Sequence, residues 1–229
     1  LEASGNVNFK FKNNILNTDS LNYIKTDGFR GYSFQTSGNS NLLDPQYNIK
    51  SNQIIYNDKI QQMNLIDGAV IDAKNQGVSG EMINLNFLDS LIKKITIQNN
   101  GYVFNNHYAI ANNYKAQLFK DEMHGNRMEI NFENKNLKNI AITGMGKSLY
   151  YVVNDSSLLM GYNQTTGDTI NLNYYNGNLN TLNINGDARG IFYPEIGRTK
   201  IDSVLNYKSD IINYDINKEI TTLRKNVEI

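Results

Sequence analysis

The sequence predicts an all-β protein in which a strand–turn–strand unit recurs about every 40 to 45 residues. Three observations lead to this fold class. Segments of the chain align with one another without gaps, apolar and polar residues alternate within each aligned segment, and turn-forming residues follow each segment. Together these features are typical of antiparallel strands joined as hairpins.

An internal repeat is visible in three segments, 80–87, 125–132 and 167–174, which begin 45 and 42 residues apart. Each segment begins with glycine, carries apolar residues at its fourth, sixth and eighth positions, and has asparagine at its seventh. The alignment continues without gaps into the following apolar residues, and eight positions match in kind across the three copies. Chance patterning rarely produces such agreement, so the chain is predicted to be built from repeated units.

Within each copy, every second residue is apolar. In the first copy Ile83, Leu85 and Phe87 alternate with Asn84 and Asn86, and the other two copies follow the same alternation. Successive side chains of a β-strand point to opposite faces, so all the apolar residues of a copy share one face. This pattern predicts a half-buried antiparallel strand and not a helix.

Turn-forming residues follow each of these strands, at Asp89–Ser90, 134–136 and Asn176–Gly177. Asn-Gly is a strong hairpin signal because both residues tolerate a positive φ. A second apolar strand then follows in each copy. We expect that strand to end on a turn-forming residue, which is Asn99, Gly144 or Gly186 in the three copies.

The whole chain, 1–229, is predicted to form a single repeat-built domain that begins and ends part-way through a unit. Gly5–Phe9 and Asp210–Tyr214 look like partial copies at the two ends. Residues 25–47 fit the repeat least well and are predicted to be an insertion or long loop. Residues 108–118 could be read as a helix, but the repeat favours a strand there.

Composition excludes several classes of protein and site. Lys+Arg and Asp+Glu both number 22, so the basic excess typical of nucleic-acid binding is absent and no nucleic-acid partner is predicted. There is no cysteine, which excludes disulfides, thiolate metal sites and a cysteine nucleophile. Asparagine is the commonest residue, which suits the solvent face and the turns of hairpins.

No motif predicts a reaction centre. His107 and His124 lack metal-ligand spacing and are interpreted as exposed loop residues. Asp121–Glu122 lacks a calcium-loop pattern and is interpreted as a turn or a solvated face. The run 144–148 (Gly-Met-Gly-Lys-Ser) misses the first glycine of a phosphate loop and precedes a β-like segment. We therefore predict a protein that is not an enzyme and needs no cofactor or metal.

Short motifs of this chain resemble the OstA/LptA family. An alternating strand that ends in Tyr, a turn, a second strand and then Gly-Asn-Val or a variant of it are the shared features. They appear as Ser-Gly-Asn-Val-Asn-Phe at 4–9, as 209–214 followed by Lys-Asn-Val at 225–227, and as Asn-Gly-Asp-Ala at 185–188. The resemblance covers most of the chain outside about 25–47.

The resemblance implies an elongated, V-shaped antiparallel β-jellyroll that carries lipopolysaccharide across the periplasm. It implies lipid A acyl chains between two sheets, other jellyroll proteins joined end to end by strand pairing, and a periplasmic location, free or associated with the outer membrane. A bridge protein, the periplasmic domain of the translocon and a membrane-anchored relative all stay open. The residues expected to line the lipid groove are Ile83, Leu85, Phe87, Ile95, Ile97, Met128, Ile130, Phe132, Ile140, Ile142, Ile170, Leu172, Tyr174, Leu182 and Ile184.

Two other architectures have a comparable repeat length. A β-propeller uses blades of four strands, although no Trp-Asp or Gly-His signature occurs and the chain has no Trp. A β-helical adhesin would need turn motifs at each corner of its coils, whereas the segments predict hairpins. Either would indicate a module that binds protein or carbohydrate.

Overall fold

A computed structural model describes residues 1–11, 13–25, 31–111, 115–154, 156–175, 178–216, 218 and 220–229. The described part contains strands and no helix, hence no helix that could span a membrane. The strands are β1 (Glu2–Phe11), β2 (Asn14–Lys25), β3 (Tyr32–Ser37), β4 (Ser40–Leu43), β5 (Asn48–Ser51), β6 (Gln53–Asn57), β7 (Gln62–Asp72), β8 (Gln76–Leu88), β9 (Leu91–Ile110), β10 (Ala116–Glu133), β11 (Asn136–Val153), β12 (Leu159–Tyr175), β13 (Asn178–Pro194), β14 (Leu205–Asp215) and β15 (Ile220–Arg224).

The strands belong to one sheet in which β7 to β15 are neighbours in chain order. Every pairing with a described register is antiparallel, as in β11 with β12 and β12 with β13. The predicted fold class, an all-β antiparallel fold made of hairpin repeats, is confirmed. A continuous sheet of this order excludes the separate blades of a propeller, and antiparallel pairing excludes a β-helix.

The chain forms two compact units, each with its own buried residues. Unit 1 consists of Leu1–Gly101 and Arg127–Leu137, and unit 2 consists of Tyr102–Asn126 and Lys138–Ile229. Strands β9, β10 and β11 contribute residues to both units.

The second strand of each hairpin does not end at Asn99, Gly144 or Gly186, so that prediction is wrong. Strands β9, β11 and β13 continue past these residues. These residues do adopt the positive φ angles expected of a turn. However, two consecutive residues with positive φ form a β-bulge here, and the chain does not reverse. In β11 the φ angles are 79° at Gly144 and 55° at Met145, and the register with β12 shifts there. We call each such pair a kink.

Kinks recur along the chain on every second long strand. Glycine and asparagine predominate because they reach positive φ at the lowest cost. The described residues contain seven kinks, at 5–6, 38–39, 67–68, 99–100, 144–145, 186–187 and 225–226.

A carboxylate or carboxamide from a neighbouring strand faces most kinks. Glu81 accepts hydrogen bonds from the side-chain amides of both Asn99 and Asn100, at 3.0 and 2.9 Å. Asp210 accepts two from Asn226, each 3.1 Å. These contacts explain why an acidic or amide residue follows Gly80, Gly125 and Gly167 in the aligned repeats.

Strand β12 has no kink of its own, but its pairing with β11 and with β13 is bulged opposite their kinks, and it keeps a buried side on both sides of that bulge. In β12 the buried positions are odd before the bulge, at Asn163 and Thr165, and even after it, at Ile170 and Leu172. Without the shift, one half of the strand would turn its apolar residues to solvent. The bulge therefore lets a strand of 17 residues contribute to one interior along its whole length.

Residues 25–47 are not a long loop, so this prediction is wrong for the described part. Strands β3 and β4 lie there, separated by the kink at 38–39, and Phe34 and Leu42 are buried. The repeat was missed because the strands here are only six and four residues long. Residues 26–30 lie outside the described residues.

The remaining local predictions concern turns and residues 108–118. Asp89–Ser90 and 134–135 have positive φ angles, as expected for tight turns, whereas Asn176–Gly177 lies outside the described residues. Residues 108–110 belong to β9 and 116–118 to β10, so the strand interpretation is confirmed there, whereas Ala111 and Lys115 lie outside the strands.

Candidate functional site

Twelve of the fifteen predicted groove residues are buried, with at most 5% of their surface exposed, and the three aromatic ones are half-buried. Unit 1 contains Ile83, Leu85, Phe87, Ile95, Ile97, Met128, Ile130 and Phe132; unit 2 contains Ile140, Ile142, Ile170, Leu172, Tyr174, Leu182 and Ile184. Each unit thus has a continuous inner aliphatic stripe. The alternation predicted their inward orientation, while contact with a lipid stays a prediction.

The glycine that opens each repeat allows the stripe to pack closely. A Cβ atom at any of these glycines would overlap the Cγ2 methyl group of an isoleucine on the following strand, so only glycine fits without displacement. The three pairs are Gly80 with Ile97, Gly125 with Ile142 and Gly167 with Ile184.

Aromatic rings border the stripe of unit 1. Ring centroids lie 5.8 Å apart for Phe11 and Phe34, 5.6 Å for Phe34 and Tyr56, and 6.3 Å for Tyr56 and Phe87. Such spacings are favourable for aromatic pairs. Phe87 therefore ends a row of rings and is itself half-buried.

Buried hydroxyl groups lie beside the kinks, a feature that the sequence patterns did not predict. In unit 1, Ser40 Oγ lies 2.6 Å from Thr36 Oγ1 and 3.0 Å from Thr18 Oγ1. In unit 2, Ser148 Oγ lies 2.7 Å from Thr165 Oγ1. These contacts satisfy polar groups that would otherwise be costly to bury beside an aliphatic stripe.

Asp121 is buried in unit 2 beside the partly exposed His107, so the interpretation of both as exposed turn or loop residues is wrong. They lie in β10 and β9. Asp121 Oδ2 is 3.4 Å from His107 Nδ1, and Asp121 Oδ1 accepts a hydrogen bond of 3.0 Å from the Tyr151 backbone N–H. The Asp121 side chain is 7% exposed. His107 Nε2 is buried and has no hydrogen-bond partner.

Burial controls the ionisation of this pair. It raises the pKa of the Asp121 carboxyl to about 7, although the hydrogen bond from Tyr151 opposes the rise. Burial also lowers the pKa of His107 from its ordinary 6.5. The pKa values of the Tyr150 and Tyr174 phenols are raised by burial and then by the charge of Asp121. Tyr174 is a predicted groove residue, so Asp121 is electrostatically coupled to the inner stripe.

His124, by contrast, is an exposed residue of strand β10 and not a loop residue. Its ring lies 4.7 Å from that of Tyr102, whose hydroxyl donates a 2.6 Å hydrogen bond to Glu122.

Arg198, which lies in the connection between β13 and β14, stabilises one end of unit 2 by hydrogen bonds. Its guanidinium donates hydrogen bonds to the carbonyl oxygens of Ile110, of Ala111 at 2.7 Å and of Leu159 at 3.4 Å. Ile110 also forms a parallel bridge with Leu158, although two strands separate β9 from β12 in the sheet. We call this set of contacts the Arg198 clamp.

Arg198→Ala is expected to loosen the clamped end, because charged hydrogen bonds contribute about 1.5 to 3 kcal/mol. The Ile110 amide, which donates a 2.8 Å hydrogen bond to Ser157, should exchange its hydrogen about tenfold faster or more. Arg189→Ala is the matched control, since Arg189 is 59% exposed and pairs only locally with Asp187. Equal exchange of Ile110 in both variants would contradict the clamp.

No protein-family model matches the sequence, and no curated protein matches it. One solved structure similar to this chain is that of LptH, described as the LptA homologous periplasmic component of the conserved lipopolysaccharide transport device from Pseudomonas aeruginosa. The similarity covers 78% of this chain and 82% of that chain, with 11% identity and a TM-score of 0.34. A similarity of this size does not assign the chain to a family.

Proposed function

We propose that this protein binds the acyl chains of lipopolysaccharide in the periplasm and carries them towards the outer membrane without changing them chemically. The observation that carries this proposal is the uninterrupted inner aliphatic stripe of each unit, repeated hairpin after hairpin. Each buried methylene of an acyl chain would contribute about 0.8 kcal/mol, so binding needs no reaction centre.

Lipid access requires the inner side chains to separate. The aliphatic residues of the stripe are almost completely buried in this structure. Two clefts, of about 450 and 480 Å³, lie near the kinks of unit 1 and are lined mainly by polar residues. An acyl chain would therefore displace contacts within the stripe, beginning where the half-buried Phe87, Phe132 and Tyr174 border it.

Partner proteins are proposed to join by strand pairing at the outermost strands. In the described structure β1 pairs with β2 and β15 pairs with β14. An outermost strand offers unpaired backbone groups that can accept a strand of another jellyroll protein. End-to-end assembly of this kind would give lipopolysaccharide a path from one protein to the next.

Binding of a fluorescent lipopolysaccharide tests the proposed function. Phe87→Asn is expected to weaken binding about tenfold, because it removes apolar surface next to the stripe. Leu88→Asn is the matched control, since Leu88 is the next residue of β8 and is 55% exposed. Equal affinity of the two variants, or no binding by the unsubstituted protein, would contradict the proposal.

A further inference from the structure

The pair formed by the buried Asp121 and the partly exposed His107 is not explained by the binding of acyl chains alone. An aliphatic stripe gains nothing from an ionisable pair, and burying polar groups is costly unless they are fully hydrogen-bonded. Asp121 has its partners, but His107 Nε2 is buried with none. An unpaired buried nitrogen of this kind needs a partner that the described residues do not supply.

The protonation of the imidazole determines which group His107 can bind. Nδ1 faces the Asp121 carboxylate at 3.4 Å, so a proton on Nδ1 is favoured over one on Nε2 when the carboxyl is ionised. The lowered pKa keeps the ring neutral above pH 7. Nε2 is then a bare acceptor, and its missing partner must be a hydrogen-bond donor.

A metal ion and a catalytic role fit this pair less well. The described residues contain no group of three or more His, Asp or Glu side chains that could hold a metal ion. A catalytic role would need a nucleophile hydrogen-bonded to His107, but Nε2 has no partner among the described residues, and the hydroxyls of Ser148 and Thr165 bond to each other. A bound donor group is the arrangement that satisfies Nε2 without further residues.

Asp121 also lies on the buried side of β10, as does Met123 two residues later. The phenol of Tyr174, a residue expected to line the groove, is electrostatically coupled to Asp121, as is the phenol of Tyr150. The Arg198 clamp begins three residues after His107, at Ile110, and covers this end of unit 2. A polar group on a bound chain could thus reach His107 inside the unit.

We propose that His107 Nε2, oriented by Asp121, accepts a hydrogen bond from a hydroxyl or amide N–H group carried on a lipid chain bound in unit 2. This inference rests on the proposed function and specifies its ligand as a lipid whose chains bear a hydrogen-bond donor. Plain hydrocarbon chains would bind through the stripe alone and leave Nε2 unpaired.

Competition against a fluorescent fatty acid at pH 8 tests the inference. Tetradecanoic acid and 3-hydroxytetradecanoic acid differ only in the donor group. The unsubstituted protein is expected to bind the hydroxylated acid about tenfold more tightly, because a buried polar group left unpaired is costly. His107→Phe should abolish this preference while keeping affinity for the plain acid, and His124→Phe should retain the preference.

The outcomes separate the two proposals. Binding of both acids with equal affinity by the unsubstituted protein would overturn the inference and leave the proposed function standing. Binding of neither acid would also overturn the inference, whereas the proposed function is overturned only if fluorescent lipopolysaccharide does not bind. Because a variant could misfold, a second measurement uses the unsubstituted protein. The ¹⁵N chemical shift of His107 Nε2 should move when the hydroxylated acid is added and stay unchanged with the plain one, and an unchanged shift with both would overturn the inference.

Discussion

Asp121→Asn is expected to raise the free energy of unfolding at pH 8 by about 4 kcal/mol, since burial raises the pKa of the carboxyl by about three units and each unit corresponds to about 1.4 kcal/mol. The carboxyl has an ordinary pKa of 3.8 and a pKa of about 7 in the folded protein. Below about pH 3.8 the carboxyl is protonated in both the folded and the unfolded protein, so its ionisation does not lower the free energy of unfolding. Between about 3.8 and 7 only the unfolded state releases the proton, so stability falls as pH rises.

Chemical unfolding of both proteins from pH 3 to 8 measures this effect. The difference between them should be smallest below about pH 4, grow up to about pH 7 and then stay constant. His107 contributes with the opposite sign, because its lowered pKa makes stability fall as pH decreases below 6.5. That contribution remains in the variant and largely cancels in the difference. A difference that does not vary with pH would contradict the burial of an ionisable Asp121.

Gly125→Ala is expected to lower the free energy of unfolding by about 2 kcal/mol, because overpacking a close-packed interior costs about that much. The new methyl group would overlap Cγ2 of Ile142, which is completely buried. Equilibrium unfolding with a chemical denaturant measures the change.

The second substitution Ile142→Leu provides the control for this prediction. Leucine has no methyl group at the Cγ2 position, and the next nearest atom to the added Cβ would be Thr143 O at 3.6 Å, an ordinary contact. The double variant should therefore recover most of the stability that Gly125→Ala loses. Additive destabilisation by the two substitutions would show that this contact does not determine the role of the glycine.

The inner stripe could be predicted from the sequence because alternation alone determines it. Ile83 and Leu85, or Ile170 and Leu172, are separated by asparagines in a strand, and a period of two places them on one face. The same argument predicted the aromatic residue that ends each run. It could not predict that Phe87, Phe132 and Tyr174 are only half-buried, because that depends on their neighbours near the turns.

At the kinks, the sequence correctly indicates residues with positive φ, but the prediction that the strands end there is wrong. Gly144 and Gly186 do adopt positive φ, as glycine in a turn would, yet the chain continues forward through them. A reversal and a bulge use the same residue types, and only pairing with the next strand distinguishes them. Gly125 could likewise be recognised in the sequence as a repeated residue, but its contact with Ile142 could not be predicted.

The pair of Asp121 and His107 could not be predicted from local sequence. The two residues are 14 positions apart on different strands, and the surrounding residues are polar and charged, as at Lys120 and Glu122. Asp121 follows the alternation of β10 between Phe119 and Met123, but alternation does not indicate that a carboxylate at an inward position lies beside His107. Arg198 is similar, since its acceptors Ile110 and Ala111 lie 87 or more residues away.

Photo-crosslinking to lipopolysaccharide tests the central claim, an inner lipid-binding face, most directly. p-Benzoylphenylalanine is placed at Tyr174 in one variant and at Tyr175 in another, so that the two probes replace neighbouring tyrosines of β12. Tyr174 is half-buried beside the stripe, whereas Tyr175 is 70% exposed. We expect a lipopolysaccharide adduct at 174 and none at 175. Equal adducts at both positions, or none at 174 in a folded protein, would contradict an inner lipid-binding face.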